Sequence, residues 1–390
     1  MKQAKKTRPE ASVHALVLSG CGSSSTAAYE VGAMKALAEG GCAHLDGIHL
    51  DPAIYSCSAF GAFNAAIMAS QIGGDMASTL SYLERVWLED LSSTPTSCGN
   101  GVYRLRGNPL NLLDPRCYLS QPGKPLIDAF NDFVFLSTDF LKRLRTFLDG
   151  ESPLVERLLH IPDMTAFFDM QPLQSQLRKH IDLERLRSSE KELLVIATDW
   201  ARGMPRAFTK QEITGEQGYA ILQASAAFLL AFPFVDIDGR PFGGAPGSMA
   251  TPLKPVMEIY GSQIRHLVIH VIYLLPPMKD VPISKMTSLL DGLGRSFSMN
   301  EIVNIHAEVE YASTSNNPGT RASGNGETLE VDGETNENHI TIHRYRPRRS
   351  PVNWFEFADF DRQKTEEHIA QGYDETLAHD CKSEGCILAT

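Results

Sequence analysis

Two short stretches of this 390-residue chain hold reactive side chains at the junctions between elements. The first is Cys57-Ser58-Ala59-Phe60-Gly61, which joins an apolar run at Ala53–Cys57 to a helical pattern at Ala62–Ser70. A sharp strand-to-helix turn projects one side chain into the space above the strand. Ser58 offers a hydroxyl there and Cys57 a thiol. A hydroxyl attacks only when a neighbouring base takes its proton. Asp236 and Asp238 are candidate bases, and Asp199 is a third carboxylate after an apolar run. The second stretch is Gly20-Cys21-Gly22-Ser23-Ser24-Ser25-Thr26, just ahead of a helix. Its backbone N–H groups suit an oxyanion or another anion. Each residue also has a plainer reading. Ser58 fits a turn serine bonded to local backbone. Cys57 fits a small buried hydrophobe, Asp238-Gly239 a solvated hairpin tip, and Asp199 a loop or cap residue.

The elements that must position these residues follow from pattern. Val13–Ser19 is a short apolar run bounded by glycine, which predicts a buried strand. Ala27–Glu39 then carries Val31, Met34 and Leu37 at helical spacing. Strand, tight loop and helix make the first unit of a parallel α/β sheet, and Ala53–Cys57 with Ala62–Ser70 repeats it. Residues 72–190 read as mostly helical, with pieces at Leu80–Leu88, Leu126–Phe135, Asp139–Leu148 and Leu173–Ile181. Leu193–Thr198 and His266–Leu274 read as strands and Gly218–Ala227 as a helix. Phe234–Phe242 reads as a hairpin about Asp238-Gly239. Residues 1–12 are expected to be a flexible lead, and the polar, aperiodic stretch 312–338 a mobile loop. A strand at Ile340–Tyr345 and a helix near Asp361–Tyr373 close the chain.

The wording of these elements resembles patatin-like lipid acyl hydrolases. Leu18-Ser19-Gly20-Cys21-Gly22 and Ala28–Leu37 match that family's opening strand, Gly-rich loop and helix. Ser58–Ala66 matches its G-x-S-x-G turn followed by N-A-A. Tyr82–Trp87, Ala197-Thr198-Asp199, Ala224–Ala227, Phe232–Gly239 and Thr251–Pro255 match further words in the family's order. The resemblance spans roughly residues 13–280. It implies a three-layer α/β sandwich with a central, mostly parallel sheet, a helical insertion near 72–190 and a C-terminal extension over 281–390. It also implies phospholipid or acylglycerol esters as substrates, met at a membrane surface, and chemistry by a Ser-Asp dyad with no cofactor and no metal.

The match fails where the chemistry should be. Counted without a gap, the nucleophile position is Ala59 and the base position is Gly244. Cys57 replaces the first glycine of the turn, Gly61 keeps the second, and Pro246 lacks a backbone donor. The loop Gly20, Cys21, Gly22 lacks the family's basic residue. Removing such a nucleophile costs about a millionfold in rate, or roughly 8 kcal/mol of transition-state stabilisation. Hydrolysis is therefore expected to be impaired or lost. Two alternatives remain: a lipid-binding or regulatory pseudoenzyme, and an active hydrolase with relocated groups, Ser58 with Asp236 or Asp238. Phe60 and Phe228 are expected to line the mouth of the family's pocket.

Composition bounds these readings. Hydrophobic residues are 43%, charged residues 21% and the formal net charge -11, a globular and acidic chain. Nucleic-acid binding is not expected, because phosphate neutralisation needs clustered Lys and Arg. No run reaches the roughly 20 apolar residues of a membrane span. Seven scattered cysteines with no C-x-x-C pair argue against a disulfide framework and a zinc site, and for a reducing, cytoplasmic compartment. The twelve histidines show no metal-ligand spacing.

Overall fold

The structure is a computed structural model. It describes residues 12–19, 25–45, 47–120, 122–148, 164–227, 232–244, 252–276, 289–315, 321–322, 328–329, 339–348 and 359–388. In chain order the strands are β1 (Val13–Ser19), β2 (Ile54–Ser58), β3 (Arg104–Leu105), β4 (Phe168–Asp169), β5 (Glu192–Asp199) and β6 (Met204–Thr209). β7 (Val235–Ile237), β8 (Arg240–Gly243), β9 (His266–Tyr273), β10 (Arg321–Ala322), β11 (Thr328–Leu329) and β12 (His339–Tyr345) follow. The main sheet runs β12-β9-β1-β2-β5-β8-β7, with β6 also paired to β5. Its first five strands are parallel, and β6 and β8 run antiparallel to β5. The near-continuous apolar runs of β1 and β9 are the mark of parallel strands covered on both faces. In β1, Leu16 and Leu18 face one core while Ala15 and Val17 face the other. The first core is closed by α1 (Ala28–Ala38) and α2 (Gly61–Ser70). The second is closed by the helices Leu253–Tyr260 and Leu289–Ser315. This is the mixed α/β fold with a central, mostly parallel sheet that the sequence predicts.

Three expectations are corrected. Leu126–Phe135 and Asp139–Leu148 are one helix, not two. After α3 (Met76–Arg85), α4 (Leu110–Leu113) and α5 (Pro115–Ser120), a single α6 spans Lys124–Leu148. Ser137 and Thr138 do not break it, because their hydroxyls donate back to the carbonyls of Phe133 and Val134. Second, Cys98 and Cys117 form a disulfide, with Cα atoms 4.6 Å apart. The chain between them folds back through α4 and α5, which spacing along the sequence does not reveal. With that bond in place, cysteine usage no longer argues for a reducing compartment. Third, the expected loop at 312–338 begins as helix, since residues 312–315 end Leu289–Ser315. β10 pairs antiparallel with β11, and the rest of that stretch lies outside the described residues, as do residues 1–11.

The C-terminal residues are built into the same sheet. β12 adds to its edge beside β9, with His343 level with His270. The helix Arg362–Leu377 lies against α1 at a glycine-to-glycine crossing. A Cβ on Gly32 would sit 1.8 Å from the Ile369 carbonyl oxygen, and one on Gly372 2.0 Å from that of Tyr29. No helix among the described residues is long and apolar enough to cross a membrane.

Candidate functional site

The turn after β2 is built as a nucleophile elbow would be. Ala59 has φ +51°, the left-handed region, which costs a non-glycine residue about 1–2 kcal/mol. The helix N-terminus holds it there: Ala62 N donates to Ala59 O at 3.1 Å, and Phe63 N to Phe60 O at 3.0 Å. Gly61 is needed because a Cβ there would lie 3.0 Å from Leu18 Cβ, where β1 packs against the start of α2. Ser58 is level with Ile196 of β5, and Gly243 is level with Thr198. One further residue on each brings Ala59 and Gly244 to the level of Ala197 on the same edge of β5, because β6 occupies the other edge over Leu194–Asp199.

Gly244 is tightly enclosed. Its N–H donates to Ala227 O at 2.8 Å, and a Cβ would meet Ser225 O at 2.8 Å. Ser225 in turn donates from Oγ to Ile196 O at 2.7 Å, which ties that helix end to β5. Any side chain at 244 requires local backbone movement.

The candidate substitutes are engaged elsewhere. Ser58 is buried between β1 and β5. Cys57 is fully buried, and its Sγ donates to Leu194 O at 3.2 Å. Burial, with the Glu30 carboxyl nearby, pushes its thiol well above the ordinary range, so no thiolate forms there. Asp236 Oδ1 accepts from Gly239 N at 3.0 Å, and Asp238, at φ +54°, accepts from Gln217 Nε2 at 2.9 Å. Both belong to the β7–β8 hairpin tip. Asp199 accepts from Arg240 Nη1 at 2.7 Å and from Ala201 N at 3.1 Å, closing the turn after β5. Phe60 does not line a pocket mouth. It is fully buried against Phe63, Trp87 and Phe360, because the first turn of α2 points it beneath the elbow into an aromatic cluster. Gly20, Cys21, Gly22, Phe228, Ala245 and Pro246 lie outside the described residues.

A buried polar group beneath the elbow escaped the sequence reading. Glu30 of α1 is completely buried. Asn64 of α2 donates to Glu30 Oε2 at 2.8 Å and accepts from Trp87 Nε1 at 2.8 Å. Desolvation pushes the Glu30 carboxyl up to about 8, opposed by the Asn64 hydrogen bond. Glu30 Oε1 has no hydrogen-bond partner among the described residues and points toward Gly61. The signal was present: a Glu in the first turn of a helix that, Lys35 apart, is made of small and apolar residues, and an Asn within the N-A-A word.

The helical insertion presents a different surface. Arg104 clamps Asp132 of α6 through two bonds of 2.6 and 2.8 Å and reaches Asp169 of β4 at 2.9 Å. Thus anchored, α6 leaves Leu126, Ile127, Phe130, Phe133 and Leu141 turned to solvent, with Phe130 67% and Phe133 71% exposed.

A cluster of ligand-type side chains gathers at the opposite edge of the sheet. His343, His379, Cys381 and Cys386 bring their donor atoms within 4.8 Å of one another. A histidine chain adjoins them: His14 Nδ1 lies 3.1 Å from His270 Nε2, and Tyr345 Oη bridges His270 and His44 at 2.9 and 2.7 Å.

A three-layer α/β sheet with a strained strand-to-helix turn at the end of β2 defines the class. The chain belongs to the patatin-like phospholipase family, whose model matches residues 16–250. Among solved structures it is similar to VipD from Legionella pneumophila at 15% sequence identity and a TM-score of 0.36. That likeness covers 95% of this chain and 66% of VipD. No curated protein matches the chain.

Proposed function

We propose that this chain is a patatin-like lipid acyl hydrolase scaffold in which hydrolysis is impaired or lost, and that it works as a lipid-binding or regulatory pseudoenzyme. The observation that carries this reading is Ala59. It occupies the left-handed apex between β2 and α2 and has no side-chain oxygen. Gly244, at the same level on the same edge of β5, has no carboxylate, and the neighbouring Ser58, Cys57, Asp236 and Asp238 are held in structural contacts. A peripheral membrane location is supported by the exposed apolar face of α6, since clustered large apolar side chains favour contact with lipid or protein.

The test has two arms. The full chain is treated with an organophosphonate ester and assayed on a short-chain acyl ester. No labelling and no turnover are expected; stoichiometric labelling of Ser58 would overturn the inactive reading. Flotation with anionic phosphatidylcholine/phosphatidylserine vesicles tests the surface. Recovery with vesicles is expected to fall at least tenfold in Phe130→Asp/Phe133→Asp, and equal flotation of both proteins removes α6 as the docking face.

A further inference from the structure

The geometry points to a closed structural zinc site at the edge of the sheet, formed by His343, His379, Cys381 and Cys386. Cys381 Sγ lies 3.4 Å from His343 Nδ1 and 3.4 Å from His379 Nε2, and Cys386 Sγ lies 3.4 Å from the same His379 Nε2. Zn–S and Zn–N bonds of about 2.3 and 2.0–2.1 Å, arranged tetrahedrally, give sulfur-to-nitrogen edges of about 3.5 Å. Three of the sulfur-to-nitrogen edges match that length, and all four atoms lie within 4.8 Å of one another.

Hydrogen bonding alone accounts for the cluster poorly. Each thiol has one proton. Cys381 faces two imidazole nitrogens with it, and His379 Nε2 faces two sulfurs with a single lone pair or proton. A cation at the common centre satisfies all three contacts at once. Two thiolates and two neutral imidazoles are the set that selects zinc among available divalent ions. Binding releases the two thiol protons and leaves a site of zero net charge, which suits its partly buried position.

The backbone is shaped for this. His343 projects from β12, and Ile342 N and O bond Ile387 O and N at 2.7 and 2.9 Å, fastening the tail to that strand. Cys381 opens a single helical turn, Cys381–Glu384, capped by the Asp380 carboxylate on Ser383 N at 3.0 Å. Gly385, at φ +67°, reverses the chain so that Cys386 returns beside Cys381, with Cys386 N donating to Cys381 O at 2.9 Å. Arg344 N then donates to Cys386 Sγ at 3.3 Å, the kind of backbone bond that steadies a coordinated thiolate. His44 packs its ring 4.6 and 4.5 Å from those of His343 and His379, and its Nδ1 has no partner among the described residues. All four ligands come from the protein, leaving no open position, so the site staples the C-terminal tail to the sheet rather than carrying out a reaction.

Elemental analysis of the purified, reduced full chain is expected to find one zinc per chain. Apo protein titrated with Co²⁺ should develop the intense visible bands of tetrahedral cobalt and a thiolate-to-metal charge-transfer band. Cys381→Ser and Cys386→Ser should each lose the charge-transfer intensity in proportion to the thiolate removed and bring zinc content near zero. Metal-free protein with no cobalt spectrum overturns the proposal. So does zinc retained at full stoichiometry in both variants, or a Cys381–Cys386 disulfide in protein isolated under reducing conditions. The cobalt titration uses the unmodified chain, so a folding failure of either variant leaves the test intact. None of these readouts depends on acyl hydrolysis, so the outcome is independent of the functional reading above.

Discussion

The two ends of this molecule's chemistry contrast sharply. At the end of β2 the chain makes a strained strand-to-helix turn, with a left-handed Ala59 and a close-packed Gly61, and Ala59 itself carries no reactive group. At the β12 edge the backbone is an ordinary strand and a short turn, yet four metal-ligand side chains converge within 4.8 Å. One region holds a strained conformation with no reactive side chain at its apex. The other holds the groups in relaxed geometry. The difference teaches that backbone strain and convergence of donor atoms are separate signals, and a site's chemistry needs the second.

The strongest way to break the comparison is to separate the regions where they join. Gly32→Val should push a side chain into the Ile369 carbonyl across the helix crossing. The expected loss is about 4 kcal/mol or complete failure to fold, read from urea denaturation. A loss under about 1 kcal/mol would mean the C-terminal helix does not seat on α1 as described.

Glu30→Gln sharpens the elbow side. The Glu30 carboxyl is pushed from 4.5 to about 8 in the folded chain. Its stabilising contribution is therefore complete below pH 4.5 and is lost as pH rises through about 8. The Gln variant should remove that slope and exceed the parent at pH 8 by on the order of 3 kcal/mol. Identical pH–stability curves for the two proteins would show that Glu30 is ionised in the folded state.

The smallest structural effect is expected at Ala59 itself. Ala59→Ser should change stability by less than about 1 kcal/mol and give no hydrolysis, because Gly244 offers no carboxylate to take the serine proton. Adding Gly244→Asp should yield measurable short-chain esterase activity, at an overpacking cost of about 1–3 kcal/mol from the contact with Ser225 O. An active single variant would locate a base that this structure does not supply.

Much of the fold was legible in the chain alone, for a physical reason. The β1–α1 and β2–α2 units are local: a buried strand, a small-residue turn and a helix announce themselves by period and composition within some 30 residues. The hairpin at Asp238-Gly239 is equally local, and Asp238 and Gly239 both adopt positive φ as such a turn requires. The sharp turn itself was readable too: Ala59, between the apolar run of β2 and the start of α2, adopts a positive φ. What the chain alone could not show depends on distant residues meeting. Cys98 reaches Cys117 only through the fold of α4 and α5. Phe60 is core rather than pocket wall only because Trp87 and Phe360 arrive beside it. His343 meets His379, Cys381 and Cys386 only because β12 joins the sheet edge and the tail returns to pair with it. Sequence period reports which face of an element is apolar. It does not report which faces are brought together, and the tertiary structure decided that.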